Sequence, residues 1–297
     1  MPSDVVYDAT LGSLGLKQVL SGSFNTNASP IAGSTSGGLD VDTYYGGPAD
    51  PRASFSSGDI GTIVGVSNFC TQGLAVSSGT ITIPYHKRAD KSTFASGTSH
   101  FTVSGSNGLI VPTSFSVAQD DDGASANLEC YFQSTDGFTV PFATNSSQSL
   151  SSQSFVGMYG LGPCSIDGTT LGETVGFTVN PGITVSPEKH NGGLFPDTLY
   201  ITTRRPSIEI QFNDFDDVDS ILGDAVWTAI GSNCVCYMRA RSGAGYVANG
   251  TSSHVSFTFA GGIVDMQTVS ASGSSSGVAS VILYGESLTA AAGVAIS

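Results

Sequence analysis

Gly37, Gly38, Leu39, Asp42, Thr43 and Tyr45 recur as Gly192, Gly193, Leu194, Asp197, Thr198 and Tyr200 at one ungapped offset of about 155 positions. The offset carries on through Pro51 and Pro206 to Asp59 and Asp214. A solenoid repeats every 20–50 residues or so, so a period this long makes the repeating unit a whole domain. Later blocks keep the order with small changes of offset. Ser96 to Phe101 matches Asn249 to His254, and Gly108, Leu109 and Ile110 match Gly262, Ile263 and Val264. Leu128, Cys130 and Tyr131 match Val281, Leu283 and Tyr284. Matching order with shifting offsets is what duplication followed by loop insertion produces.

The 297 residues therefore divide into a first domain over 1–134, a Ser/Thr/Gln-rich linker or arm over 135–166, and a second domain over 167–297. Thr144 to Ser154 has no hydrophobic period, which is the basis for the linker. Only 11% of residues are charged and 38 are glycine, a balance that favours short strands and turns over helices. Ile81 to Tyr85 and Asn233 to Arg239 alternate as strands do. Val218, Ile221 and Leu222 recur at helical spacing, with Asp214 or Asp216 placed to cap the first turn and Gly223 to end it. The fold class expected is all-β: two tandem β-sandwich domains, each with one short helix. The C-terminal Ala290 to Ser297, small and apolar, is expected to fray or to lie on a neighbour.

Residues able to do chemistry are not arranged for it. His86, His100, His190 and His254 stand in unrelated contexts, although His100 and His254 occupy nearly equivalent repeat positions beside a strand start. Asp214, Asp216, Asp217 and Asp219 lack the central glycine and closing glutamate of a calcium loop and read as helix-capping charges. Asp120, Asp121, Asp122 and Gly123 read as a turn. Arg204 and Arg205 read as solvated loop charges, or as partners for acidic groups of a neighbouring copy. Cys70, Cys130, Cys164, Cys234 and Cys236 read as half-buried free thiols of a reducing cytoplasm, with Cys234 and Cys236 on one strand face. The expectation is a chain that is not an enzyme, with no catalytic, cofactor-binding or metal-binding residues and no cofactor.

The net charge of −14, with 10 Lys and Arg against 24 Asp and Glu, opposes binding to nucleic acid through phosphates. It suits a wall that must leave nucleic acid unbound. No apolar run approaches about 18 residues, so no membrane span is expected; Met1, Pro2, Ser3 and Asp4 lack the basic and apolar parts of a secretory signal, as a mature, processed chain would too.

A long early loop, a strand entered through Pro206, Ser207, Ile208, Glu209 and Ile210, a short Asp-rich helix from Asp214 to Leu222, and later strands follow one another in this chain. In that layout it resembles the tail-tube proteins of long-tailed bacteriophages, particularly those with a duplicated tube domain. The resemblance implies a virion tail protein, assembled in the host cytoplasm. Its sheets would join those of its neighbours into a ring-shaped β-barrel around an acidic channel through which DNA slides without specific binding. Two domains per chain would close the ring as a trimer with pseudo-six-fold symmetry. The implied partners are copies of the chain, stacked as a tube, and other tail proteins such as the tape measure, terminator and baseplate or tip. Ser21 to Ser36 and Asn180 to Asn191 would be inter-ring loops. Two other readings fit two tandem sandwiches: a duplicated capsid or decoration protein, and an extracellular carbohydrate-binding or adhesin module.

Overall fold

The computed structural model describes the chain from residue 4 to residue 296, apart from residues 35–40, 78–79, 90–93, 96, 98, 121–122, 150–155, 214–215, 217–220, 222–224, 226, 244 and 273–274. The first half comprises β1 (Asp4–Val5), β2 (Ala9–Leu11), β3 (Leu14–Leu16), β4 (Val19–Asn25), β5 (Ile31–Gly33), β6 (Thr43–Tyr45) and β7 (Arg52–Ser57), then the helices α1 (Ile60–Val64) and α2 (Phe69–Gln72). It continues with β8 (Leu74–Val76), β9 (Ile81–Lys87), β10 (His100–Gly105), β11 (Gly108–Ala118), β12 (Ser125–Phe132) and β13 (Ala143–Gln148). The second half comprises β14 (Tyr159–Ile166), β15 (Thr169–Thr170), β16 (Thr174–Asn180), β17 (Ile183–Glu188), β18 (Thr198–Arg204) and β19 (Ser207–Phe212). It ends with β20 (Trp227–Ala229), β21 (Asn233–Ser242), β22 (Gly245–Tyr246), β23 (His254–Ser272) and β24 (Ser275–Val294).

The fold is all-β, built of antiparallel sheets packed as sandwiches. Alternating sequence sets the strands: in β7 the side chains of Ala53, Phe55 and Ser57 are buried, and in β19 those of Ile208, Ile210 and Phe212. A period of two puts one face of each strand in the core.

The sequence repeat reappears as a repeat of register. Phe24 pairs with Ala53 in the first half, and Val179 with Ile208 in the second. Leu128 lies opposite Phe55 as Val281 lies opposite Ile210. Ile110 faces Cys130 as Val264 faces Leu283. Leu11 faces Ile81 as Ile166 faces Cys234. In the second half, β23 runs as one strand through the positions of β10 and β11, and β24 does the same for β12 and β13. Gly261 and Gly262 take φ of +66° and +122° within β23, at the place that corresponds to the break between β10 and β11, a backbone that favours glycine.

The segment 135–166, expected as a linker or arm, contains strand. Its β13 pairs with β10, and its β14 pairs with β21 and buries Leu161, Cys164 and Ile166. The C-terminal Ala290 to Val294 is strand, and Ile296 is buried with its N–H donating to Asn249 at 2.8 Å. The first half holds two short helices, where one was expected. Asp59 stands at the start of α1 without capping it; its buried carboxylate accepts the Lys17 N–H at 3.2 Å. Of the helix expected over 214–222, Asp216 and Ile221 are helical and the rest lies outside the described residues.

The halves also share one core. Phe115 of β11 and Phe177 of β16 both pack on Phe257 of β23, with ring centroids 5.0 and 6.4 Å away. All three rings are buried, as are Ile60, Ile63 and Val64 of α1. A core common to both halves predicts one cooperative unfolding transition rather than two. Truncating Phe257 to Ala should lower stability by about 3–5 kcal/mol. Denaturant unfolding of both proteins, followed by circular dichroism and by Trp227 emission, checks this; two separate transitions in the parent chain would contradict it.

Candidate assembly edges

The two halves meet strand to strand. β16, the edge of the second half's sheet, pairs with β11 of the first, setting Phe115 opposite Val179 and Val117 opposite Phe177. The resulting sheet has 14 strands, and its main path runs from β15 through β14, β21, β23, β24, β19, β16, β11, β12 and β7 to β4. The Gln119 N–H donates to the Val175 carbonyl at 2.8 Å. By the two-residue period of an antiparallel ladder, Val117 with Phe177 and Phe115 with Val179 are then the pairs that exchange hydrogen bonds.

The same register locates two edges that no described strand covers. In β23, residues up to Asp265 are flanked by β21 or β20 on the side away from β24, but Met266 to Ser272 have no described strand there. Val269 holds the position of Phe115, yet is 49% exposed where Phe115 is fully buried. At the far end of the sheet, β4 pairs with β7 alone among the described strands. Gly22 and Phe24 of β4 match Phe177 and Val179 of the joint. Natural edge strands are usually guarded by charged side chains or proline. Val269, Ser270, Ala271 and Ser272 include neither, nor do Ser21, Gly22, Ser23, Phe24 and Asn25.

A second contact reinforces the joint. β17 and β18 form a hairpin that lies as a strap across the outer face of the first half. Val185 of the strap, with Ile183, Leu199 and Ile201, covers Leu109, Val111 and Tyr131. Tyr131 donates to Glu129 Oε2 at 2.7 Å, and the Arg52 guanidinium lies 4.6 Å from its ring centroid. Burial, together with the bond to Glu129, holds the Tyr131 phenol neutral to well above the ordinary tyrosine range. The segment 180–191, expected as a loop, is thus largely a strap strand bound to its own chain. Ser21 to Asn25 likewise belong to β4 and Ile31 to Gly33 to β5.

The tip of the strap is the repeated Gly-Gly stretch, stitched to a turn of the first half. The Leu194 and Phe195 N–H groups donate to the Gly137 carbonyl at 2.8 and 3.0 Å, and the Ser134 N–H to the Pro196 carbonyl at 2.7 Å. A Cβ on Gly193 would sit 3.0 Å from the Gly137 Cα, so the stitch needs glycine there. Asp136 shapes the receiving turn by accepting the Phe138 and Thr139 N–H groups, which pull its carboxyl down to about 2. Of Gly37, Gly38, Leu39 and Asp40 in the first copy, all lie outside the described residues.

The other singled-out residues serve structure. His100 Nδ1 accepts the Lys87 N–H and His254 Nδ1 the Ala240 N–H, both at 3.1 Å, so this bond is itself repeated. His86 is buried, 2.7 Å from Asp8 Oδ1 and stacked on Tyr7. All five cysteines are free and buried rather than half-buried. Burial pushes the Cys70 thiol up to about 12 and raises Cys236 as well. Arg204 and Arg205 are exposed, and Asp120 sits in a turn. Asp121, Asp122, Asp214, Asp217 and Asp219 lie outside the described residues. Among the described residues, no three His, Cys, Asp or Glu side chains are grouped to hold a metal ion, and no helix is long and apolar enough to cross a membrane.

No protein-family model matches the chain, and no curated protein matches it.

The strap tip has a charge lock with a defined pH window. His190 Nδ1 lies 2.7 Å from Asp197 Oδ1, which raises the imidazole's pKa and lowers the carboxyl's. The link is lost as pH rises through the raised histidine value and as it falls through the lowered aspartate value. NMR titration should find His190 above the ordinary histidine value, and Asp197→Asn should bring it back down. An unchanged His190 midpoint in that variant would contradict the lock.

Proposed function

We propose that the chain is the structural subunit of a phage tail tube. Three copies close into a pseudo-six-fold ring, and the rings stack around a channel for DNA. The observation that carries this reading is the pair of unguarded edges whose register the chain has already used once, at the joint of β11 and β16. In the same register, Val269 and Ala271 of one copy exchange hydrogen bonds with Phe24 and Gly22 of the next. This contact is heterologous, so it repeats from copy to copy until the ring closes. Both of these edges then have a partner, and Val269 gains the cover that Phe115 has within the chain.

The charge supports the second part of the reading. At −14 per chain, a closed ring carries a strong net negative charge. Repulsion of phosphates extends over a Debye length of about 8–10 Å at ordinary salt, which keeps DNA off the wall without stopping its passage. The mechanism is geometric and electrostatic, with no covalent step.

Negative-stain images of the purified chain should show rings or stacked rings with three chains per ring and a six-fold outline. Val269→Pro removes one donor from the open edge without breaking a described pairing on that side. This variant should remain folded, with its melting temperature within a few degrees of the parent, and fail to form rings. Monomers alone at high concentration of the parent, or rings from Val269→Pro as abundant as those of the parent, would overturn the proposal.

A further inference from the structure

The second half carries an apolar face that is covered in the first half and bare in its own. Ala229, Ile263 and Tyr284 form one cross-strand row on the outer side of β20, β23 and β24, and Trp227, Asp265 and Ile282 form the next. By register these rows match Ala75, Leu109 and Tyr131, and then Gly73, Val111 and Glu129. In the first half, Leu109, Val111 and Tyr131 lie under the strap of β17 and β18. In the second half, Trp227 is 68% exposed, Tyr284 53% and Ile263 49%.

The counterpart of that strap is bare as well. β5 and β6 form the hairpin that stands before β7 as β17 and β18 stand before β19. Asp42 N–H donates to the Gly33 carbonyl in the first hairpin as Asp197 N–H donates to Glu188 in the second. Tyr44 holds the position of Leu199, a residue packed on the covered face, and is 68% exposed.

We infer that the hairpin of β5 and β6 is a strap that docks on the Trp227, Ile263 and Tyr284 face of a second copy of this chain. The pairing is the intrachain strap contact repeated between copies, on the side where β4 meets the neighbour's β23. The bulk of the contact is redistributed. The strap positions of Ile183, Val185 and Ile201 become Ala28, Pro30 and Gly46, while the face gains Trp227 where the first half has Gly73. A smaller strap therefore meets a larger face. The contact runs sideways within a ring, not between rings, and it rests on the ring reading for its neighbour.

Trp227 is the only tryptophan, so its emission reports on this face alone. As the parent chain assembles, the emission maximum should move to shorter wavelength and quenching by acrylamide should fall several-fold. The native cysteines are buried, so new surface thiols can be linked selectively. A chain with Tyr44→Cys and Ile263→Cys should give covalent dimers and trimers with a short bismaleimide. A chain with Tyr45→Cys and Ile263→Cys, whose new thiol leaves the opposite strap face, should give several-fold less. Rings that keep Trp227 exposed and show no Tyr44→Cys link would overturn the strap and leave the ring reading standing. Absence of any rings would overturn both.

Discussion

Backbone hydrogen bonding between β11 and β16 is the interaction on which the rest of the molecule depends. It joins two half-chain sandwiches into one sheet, and it brings Phe115, Phe177 and Phe257 into a common core. A strand edge is a row of unpaired donors and acceptors, and leaving it bare in water makes it a template for another strand. Within the chain, that hazard is turned to use once. Among the described strands, Met266 to Ser272 of β23 and the outer side of β4 present the same two kinds of edge without a partner, with matching register and with no charge or proline to guard them.

A ladder of hydrogen bonds fixes register but has little apolar area of its own, and the strap supplies what the ladder lacks. Val185 and its neighbours close over Leu109, Val111 and Tyr131, and the Gly-Gly tip locks to the turn that Asp136 shapes. The repeated stretch that first marks the chain as two similar halves is thus the tip of a clasp. Its residues are suited to a close backbone crossing: Gly193 admits Gly137, and Asp197 holds both a backbone bond and the His190 pair. Titratable groups elsewhere are tied into the framework too, as the equivalent bonds of His100 and His254 illustrate.

Much of the fold was legible in the residues. Two-residue alternation marks β9, β19 and β21, and the matched pairs from Gly37 to Asp59 and from Gly192 to Asp214 align strands that do pair alike. What escaped was the nature of 135–166. β13 consists of Ala143, Thr144, Asn145, Ser146, Ser147 and Gln148 and is exposed for most of its length, so it has no apolar period to betray it. It is a strand because β10 offers it hydrogen bonds. The strap escaped for a similar reason: Ile183, Val185, Leu199 and Ile201 look like ordinary strand residues until the surface they cover is known.

The sequence by itself determined that the chain is a β protein of two similar halves with little charge and an acidic balance. These properties are local, or are visible as a repeat, and need no knowledge of what lies beside what. Only the tertiary structure decided that the halves fuse through β11 and β16, that one strap is engaged and the other bare, and that two edges of complementary register remain open. Pairing partners are chosen by long-range hydrogen bonds and shared burial, and neither leaves a mark on the residues taken one stretch at a time.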